Sequence, residues 1–189
     1  MKKNFLIPVL ILFIAIFGGI GFLLLKKEKP KEVPEETISP SFNLSLKSPA
    51  FEDQGFIPSK YTCDGEDINP PLLIEGVPQE AKSLVLVMQD PDAPGGTFLH
   101  WLLWNIPPET KEISEGKIPS GAIEGKNDFG KIGYGGPCPP SGSHHYIFTL
   151  YALSQKLDFP QDLSWNDFKT LINPHILAQA KLTGVYSRK

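Results

Sequence analysis

Strand-length runs of apolar residues recur along the chain from residue 42 to residue 153. Residues 42–46 alternate apolar and polar side chains, which is typical of a strand with one buried face. The later runs are almost wholly apolar and rich in β-branched or aromatic residues, and they cover residues 72–74, 84–88, 98–106 and 146–153. Stretches rich in glycine, proline, Asp-Gly or Asn-Pro separate the runs. This pattern predicts a mainly β domain.

Helix signals come only after the last of these strands. Ser164 with Asp167 three residues later resembles a capping box, although glutamate or glutamine is the usual partner. Asn173-Pro174 is a stronger start, because asparagine caps a helix and proline suits its first position. The apolar positions that predict this second helix, ending near Lys181, are Ile176, Leu177 and Ala180. Residues 184–186 are predicted to form a short edge strand or a tail.

The first 41 residues differ from the rest in composition. The run from Phe5 to Leu25 is uncharged and mostly apolar, and about 20 such residues are enough to cross a bilayer. It lacks a small-residue cleavage site and a cysteine for a lipid anchor, so we predict an uncleaved transmembrane signal anchor over residues 1–25. Residues 26–41 are charged and punctuated by proline, which predicts a disordered tether. One folded domain then covers residues 42–189.

The flanking charges do not give a single orientation for this anchor. Two lysines precede the apolar run and four follow it within residues 26–31. Counted strictly, the positive-inside rule slightly favours a cytoplasmic domain. An N-terminal anchor on a small domain more often exports it, and we therefore expect a membrane-anchored protein whose domain is extracytoplasmic.

The charge of the domain argues against nucleic-acid binding. Residues 1–41 hold six of the 18 basic and four of the 21 acidic residues, so the domain has more acidic than basic side chains. No block of lysine and arginine stands out in it. Because phosphate neutralisation needs clustered cations, we expect no nucleic-acid partner.

The chain has two cysteines, Cys63 and Cys138, which are too few for a disulfide scaffold or a structural zinc site. One bridge between them is possible in an exported domain, and two free thiols are the alternative.

Candidate chemistry lies in a stiff loop between two predicted strands. Residues 90–96 read Asp-Pro-Asp-Ala-Pro-Gly-Gly, and His100 follows just inside the next strand. Prolines stiffen such a loop, and a glycine pair can adopt positive φ. A rigid turn with a chance histidine would explain this stretch equally well when it is taken alone.

A second stiff loop, residues 134–143, also leads into a strand that begins with polar rings. Strand alternation places His144 and Tyr146 on one face and His145 on the other. We expect the two loops to converge on one pocket with Asp90 beside the imidazoles, and Gly136 to bring its backbone N–H close to a ligand. Such groups suit a small anion such as a phosphate monoester.

These motifs resemble the two signature regions of the phosphatidylethanolamine-binding proteins, in particular the bacterial and archaeal branch often called Raf kinase inhibitor-like. They are DPDAP followed by His-Trp, and GPxPPxGxHxY leading into a strand. The resemblance covers nearly all of residues 42–189, including YTCDGEDINPPL at residues 61–72 and HILAQAKLTGVY at residues 175–186. It implies a sandwich-like core of two antiparallel sheets, one large and one small, with a few short helices.

The resemblance also implies a function and a set of site residues. The family pocket binds phosphate-bearing head groups and other small anions without a cofactor, and members inhibit kinases or proteases. By matching position, the pocket residues here would be Asp90, His100, Gly136, Pro137, His144 and Tyr146, with Trp101 second because alternation turns it away from His100. The family often has His-Arg-Tyr where this chain has His144-His145-Tyr146; because residue 145 faces away from the pocket, the pocket should persist.

An enzyme is the alternative function class, although we expect a binding module. Cys138 lies near His144 in sequence and would be the nucleophile of a Cys/His hydrolase. Asp90, His100 and His144 would be the ligands of a hydrolytic metal centre, although no His-x-His or His-x3-His spacing supports one. A serine hydrolase of the G-x-S-x-G type lacks its motif.

Overall fold

The long apolar runs of the sequence form the central strands of the larger of two sheets in a computed structural model, which describes residues 43–188. The central strands are β4 (Ser83–Asp90), β5 (Phe98–Ile106), β8 (Ser143–Leu153) and β9 (Ile176–Ser187). The two-residue strands β2 (Gly55–Phe56) and β7 (Ile123–Glu124) form its edges. The order is β2-β9-β8-β4-β5-β7, and the pairs are antiparallel except for the parallel pair β2–β9.

The smaller sheet has three short strands and is wholly antiparallel. Its strands are β1 (Ser45–Lys47), β3 (Leu72–Glu75) and β6 (Glu112–Ile113), in the order β1-β3-β6. The mainly β architecture with one large and one small sheet therefore agrees with the sequence prediction.

Both faces of the large sheet are covered, which explains why β4 and β5 are apolar at nearly every position. One cluster of buried residues lies between the two sheets and includes Leu46, Ile74, Leu86, Met88, Leu103 and Phe148. A second cluster lies between the large sheet and helix α1 (Trp165–Ile172), and includes Val85, Val87, Trp104, Phe168 and Ile172.

Helix α1 begins as the sequence predicts. The Ser164 hydroxyl accepts a hydrogen bond from the backbone N–H of Asp167 and donates one of 2.6 Å to the Asp167 carboxylate. This cap satisfies one of the free N–H groups at the helix start.

The prediction of a second helix over residues 173–181 is wrong. Residues Asn173–His175 form only a single 3₁₀ turn, after which β9 extends from Ile176 to Ser187 and pairs with β8 along almost its whole length. The apolar positions of this segment also fit a strand, since Ala178, Ala180 and Leu182 recur every second residue. Pairing with a distant strand overrides the local helix signal of Asn173-Pro174.

The predicted anchor, residues 1–25, and tether, residues 26–41, lie outside the described residues and stay predictions. Within residues 43–188, no helix has the length and apolarity that crossing a membrane requires.

Candidate functional site

The β4–β5 hairpin carries the first two candidate residues. Asp90 ends β4, and His100 is the third residue of β5. The Oδ1 atom of Asp90 accepts a hydrogen bond of 2.8 Å from the backbone N–H of Asp92, which turns the chain out of the strand. This turn leaves the Oδ2 atom of Asp90 free to contact β8.

An irregularity in β5 determines where His100 lies. The Cα register pairs Met88 with Trp101 and Gln89 with Leu99, so His100 is an extra residue with no partner on β4. A bulge of this kind interrupts the two-residue alternation of a strand and redirects a side chain. Alternation therefore does not decide which way Trp101 points relative to His100, contrary to the sequence argument.

Trp101 supports the core rather than lining the cavity at this site. Its side chain is fully buried in the cluster between the sheets. Its Nε1 atom donates to the Glu124 carboxylate at 2.9 Å, and its ring meets that of Tyr134 edge-on, with centroids 5.5 Å apart. Trp101 is therefore placed beside the site and not within it.

The His100 ring is fixed by a backbone carbonyl and three aromatic rings. Its Nδ1 atom lies 2.8 Å from the carbonyl oxygen of Gly135, which can only accept, so Nδ1 carries the proton. The backbone N–H of Gly135 in turn donates to the carbonyl of His100 at 3.0 Å. Phe98, Phe129 and Tyr146 surround the ring, with centroids 5.1, 5.3 and 5.1 Å away.

This environment favours the neutral form of His100. Burial lowers the pKa of His100 below its ordinary value, because a charged imidazole loses hydration. The Gly135 carbonyl and the Asp90 carboxylate act in the opposite direction without reversing the shift. A neutral ring with its proton on Nδ1 presents an unprotonated Nε2 atom.

His144 forms a buried pair with Asp90. The two side chains are 8 % and 5 % exposed, and the His144 Nδ1 atom lies 2.7 Å from the Asp90 Oδ2 atom. A carboxylate can only accept from this nitrogen, so Nδ1 is protonated and Nε2 is directed away from the pair. The pair joins the ends of β4 and β8, which brings the two stiff loops together as the sequence predicts.

His145 faces away from His144, as strand alternation predicts. Its side chain is half exposed, and both its backbone N–H and its Nδ1 atom donate to the Oδ2 atom of Asp92, at 2.8 and 2.7 Å. The backbone hydrogen bond first, and the imidazole second, lower the pKa of Asp92. This contact fastens the loop after β4 to the start of β8.

Tyr146 brings a buried hydroxyl with no hydrogen-bond partner among the described residues. Burial is the main cause that raises the pKa of Tyr146, and the nearby Asp90 carboxylate raises it further. Its hydroxyl therefore stays protonated and able to donate. A buried unpartnered hydroxyl is costly, and a bound ligand is one way of satisfying it.

Gly136 and Pro137 build the second loop and do not line the cavity. The backbone N–H of Gly136 donates to the Asp67 Oδ1 atom at 2.7 Å, so the expectation that it faces a ligand is wrong. A Cβ atom at Gly136 would lie 2.6 Å from the Tyr61 carbonyl oxygen, which explains the need for glycine. The Pro137 carbonyl accepts from the backbone N–H of Cys63 at 3.1 Å.

Cys63 and Cys138 form a disulfide, with Cα atoms 5.4 Å apart. The bridge ties the loop that follows Tyr61 to the loop that precedes β8. Because Cys138 is bonded in this way, it offers no thiolate for the Cys/His hydrolase considered above.

A cavity of about 170 Å³ lies against these residues. Its polar lining consists of Asp90, His100 and His144, and its apolar lining consists of Ala93, Pro94, Phe98, Phe129, Cys138 and Pro140. No lysine or arginine belongs to this lining, which is wholly within the described residues.

The metal alternative is not supported by the arrangement of side chains. Within residues 43–188, no group of three or more His, Cys, Asp and Glu side chains is positioned to hold a metal ion. Asp90, His100 and His144 line one cavity, but they do not form such a group.

Sequence reasoning missed the aromatic and backbone parts of the site. Phe98 and Phe129 form a wall, with ring centroids 4.7 Å apart, and Gly135 holds the His100 ring. The one signal for Phe129 is its place between Asp128 and Gly130, where a large apolar residue in a turn has no core to join. Phe129 is 44 % exposed.

The chain is similar in sequence to a known protein family and to individual proteins. The family model described as "Phosphatidylethanolamine-binding protein" matches residues 47–187. The chain is 50% identical over 150 residues to the UPF0098 protein of Methanothermobacter thermautotrophicus, covering 77% of this chain and 99% of that protein. It is 39% identical over 150 residues to the UPF0098 protein of Chlamydia trachomatis, again covering 77% and 99%.

Two solved structures are similar in fold. One is the phosphatidylethanolamine-binding protein homolog CT736 from Chlamydia trachomatis, with a TM-score of 0.75 and 39% identity, covering 79% of this chain and 100% of that one. The other is E. coli YbcL, described as a new member of the mammalian PEBP family, with a TM-score of 0.73 and 32% identity, covering 77% and 99%.

Proposed function

Because the chain belongs to the phosphatidylethanolamine-binding protein family, we propose that its cavity binds a small anion such as the phosphate of a head group. One observation carries the proposal. Two imidazoles line one cavity with their Nδ1 atoms held by Asp90 and Gly135, so that each presents its Nε2 atom. Tyr146 does not line the cavity, but its ring packs edge-on against the His100 ring, and its buried hydroxyl is an unpartnered donor behind that lining.

Binding rather than catalysis is the activity that we propose. The described lining holds no serine, no threonine and no free thiol that could act as a nucleophile. The runner-up is a hydrolase in which the Asp90–His144 pair acts as general base on a water molecule, because an imidazole oriented by a carboxylate suits that role. Turnover of a chromogenic phosphate or carboxylate ester by the protein would favour this runner-up.

The proposed setting is a membrane-anchored domain outside the cytoplasm that modulates, by inhibition, a partner kinase or protease. The Cys63–Cys138 disulfide supports the compartment, since such bonds persist mainly in oxidising surroundings. The partner class rests on family membership alone.

The test measures the affinity of inorganic phosphate for the full-length protein by titration calorimetry. Losing His144 removes a charge-assisted hydrogen bond to the anion, and each 1.4 kcal/mol is tenfold in affinity, so His144→Ala should bind about ten- to a hundredfold more weakly.

The matched control is the neighbouring histidine. His145→Ala should have a much smaller effect, because its ring contacts Asp92 outside the cavity. Equal losses for the two variants, or no phosphate binding by the unmodified protein, would contradict the proposal.

A further inference from the structure

The hydrogen-bonding character of the cavity is unusual for an anion site. Each imidazole already donates a hydrogen bond from its Nδ1–H group to a protein acceptor, His100 to the Gly135 carbonyl and His144 to the Asp90 carboxylate. In its neutral form, His100 therefore meets a ligand with an Nε2 lone pair, which is an acceptor. The Asp90 carboxylate is a second acceptor in the same lining.

Positive charge is scarce around this cavity. Its described lining contains no lysine or arginine, and Asp90 cancels the charge that His144 carries when it is protonated. The charged groups that act on the pKa of His100 are carboxylates: Asp90 from β4 and, with a smaller effect, Asp128 from the loop that carries Phe129. Two residues of β8 are also near the His100 ring: Tyr146, whose ring packs against it, and His144, which lines the same cavity.

We propose that this cavity selects a tetrahedral anion that still carries a proton, namely a phosphate monoester in its monoanionic form, over anions of the same size and charge that have none. The P–OH group of the monoester donates to the Nε2 atom of His100, while another of its oxygens accepts from His144. This inference rests on the proposed function, since it specifies the anion that the same cavity takes.

The physical reason is that two hydrogen-bond acceptors placed next to each other repel and leave a hydrogen bond unmade. A sulfate monoester has only acceptor oxygens, so its contact with the Nε2 atom of neutral His100 would be repulsive and leave a buried group unsatisfied. Sites built to bond a ligand hydroxyl reject analogues that lack it by large factors, because their buried polar groups are then left unpaired.

The test compares methyl phosphate with methyl sulfate at pH 5.5, using the full-length protein and titration calorimetry. The second pKa of a phosphate monoester is about 6, so both probes are then mainly monoanions of similar shape that differ in one proton. We expect methyl phosphate to bind at least about tenfold more tightly, since one good hydrogen bond is worth roughly this factor. Dimethyl phosphate, an anion with no proton, should bind as weakly as methyl sulfate.

The role of His100 is tested by His100→Phe, which keeps a ring of similar size and removes the acceptor. The preference for methyl phosphate over methyl sulfate should fall towards onefold in this variant. His175→Ala is the matched control, because His175 lies on the 3₁₀ turn before β9, at the opposite end of the β8–β9 ladder from His144, and it should keep the full preference.

A pH series on the unmodified protein keeps the proposal falsifiable if His100→Phe fails to fold. Methyl phosphate binding should weaken more steeply than methyl sulfate binding between pH 5.5 and 7.5, because only methyl phosphate loses a proton of its own in this range. Equal affinity for the two probes, or tighter binding of the dianion, would overturn this inference and leave anion binding intact. No binding of inorganic phosphate or of any probe would overturn both.

Discussion

His100 and His144 differ in what holds their Nδ1 atoms, and this difference gives them unequal roles. The carboxylate of Asp90 accepts from His144, whereas a neutral carbonyl and three aromatic rings surround His100. Under the proposed function, His144 would donate to the anion, and His100 would accept from a proton that the anion carries. The sequence motifs alone treat the two histidines as equivalent.

The environment of His100 predicts how the stability of the protein depends on pH. Because its pKa is lowered in the folded state, the unfolded chain binds more protons than the folded one between that lowered pKa and the ordinary value near 6.5. The stabilising contribution is complete above about pH 6.5, the unfolded value, and is lost as the pH falls through the folded pKa.

Urea unfolding of the unmodified protein and of His100→Phe between pH 4.5 and 8 measures this contribution. The free energy of unfolding should rise with pH up to about 6.5 more steeply in the unmodified protein than in His100→Phe. His175→Ala is the control and should keep the steeper rise. Parallel curves for the unmodified protein and His100→Phe would mean that burial does not perturb His100.

Among the individual site residues, the sequence predicted the orientations of His144, His145 and Tyr146 better than those of His100 and Gly136. Regular alternation along β8 correctly placed His144 and Tyr146 inside and His145 outside. The bulge at His100 depends on how β5 pairs with β4, and the backbone N–H of Gly136 is hydrogen-bonded to a side chain 69 residues away. Contacts of this kind arise from the folded arrangement, so local patterns carry little information about them.

Among the elements, the two loops joined by the disulfide have the clearest consequence for the site. Cys138 lines the cavity, and Cys63 lies in the turn after Tyr61, next to the backbone that approaches Gly136. The bond therefore braces one wall of the cavity against a distant segment of the chain.

Removing this disulfide should lower the stability of the domain. The two cysteines are 75 residues apart, and closing a loop of that length reduces the entropy of the unfolded chain by an amount equivalent to about 4 kcal/mol. Cys63→Ser combined with Cys138→Ser should lose a large part of that free energy of unfolding in urea. The reduced unmodified protein is the control and should match the double variant. A loss below about 1 kcal/mol would contradict the expected role of the bond.

The error at β9 shows how an element can be misread when its partner is far away. Asn173-Pro174 does start a helical turn, but the chain leaves it after His175. The strand that follows is stabilised by pairing with β8, from Leu153 opposite Ile176 to Ser143 opposite Ser187. Because this pairing joins segments distant in sequence, a reading of local apolar spacing could not distinguish it from a helix.

For the whole molecule, the apolar runs predicted the mainly β class, and the family resemblance implied one large and one small sheet. The runs are continuous because the central strands are buried on both faces. The sequence did not predict which elements cover those faces. Helix α1 covers one face and the three-stranded sheet the other, and this division depends on contacts between segments distant in sequence.

The remaining whole-molecule prediction concerns residues 1–41. A run of apolar residues from Phe5 to Leu25 is long enough to cross a bilayer, and the charged segment after it separates this run from the domain. We expect the full chain to sediment with membranes, and a chain beginning at Phe42 to stay in the supernatant with unchanged phosphate affinity. Its affinity should persist because every residue of the cavity lies between Asp90 and His144.

Extraction conditions and protein mass distinguish a spanning anchor from weaker attachment. A transmembrane run resists carbonate and high salt and yields only to detergent, whereas attachment through the lysines of the tether would be released by salt, because salt screens charge. If the full-length gene yields protein in the supernatant whose mass is reduced by that of the apolar run, the run is a cleaved leader and the anchor prediction is overturned. Because the cavity lies wholly in the domain, such a result would change where the protein acts without changing what the cavity binds.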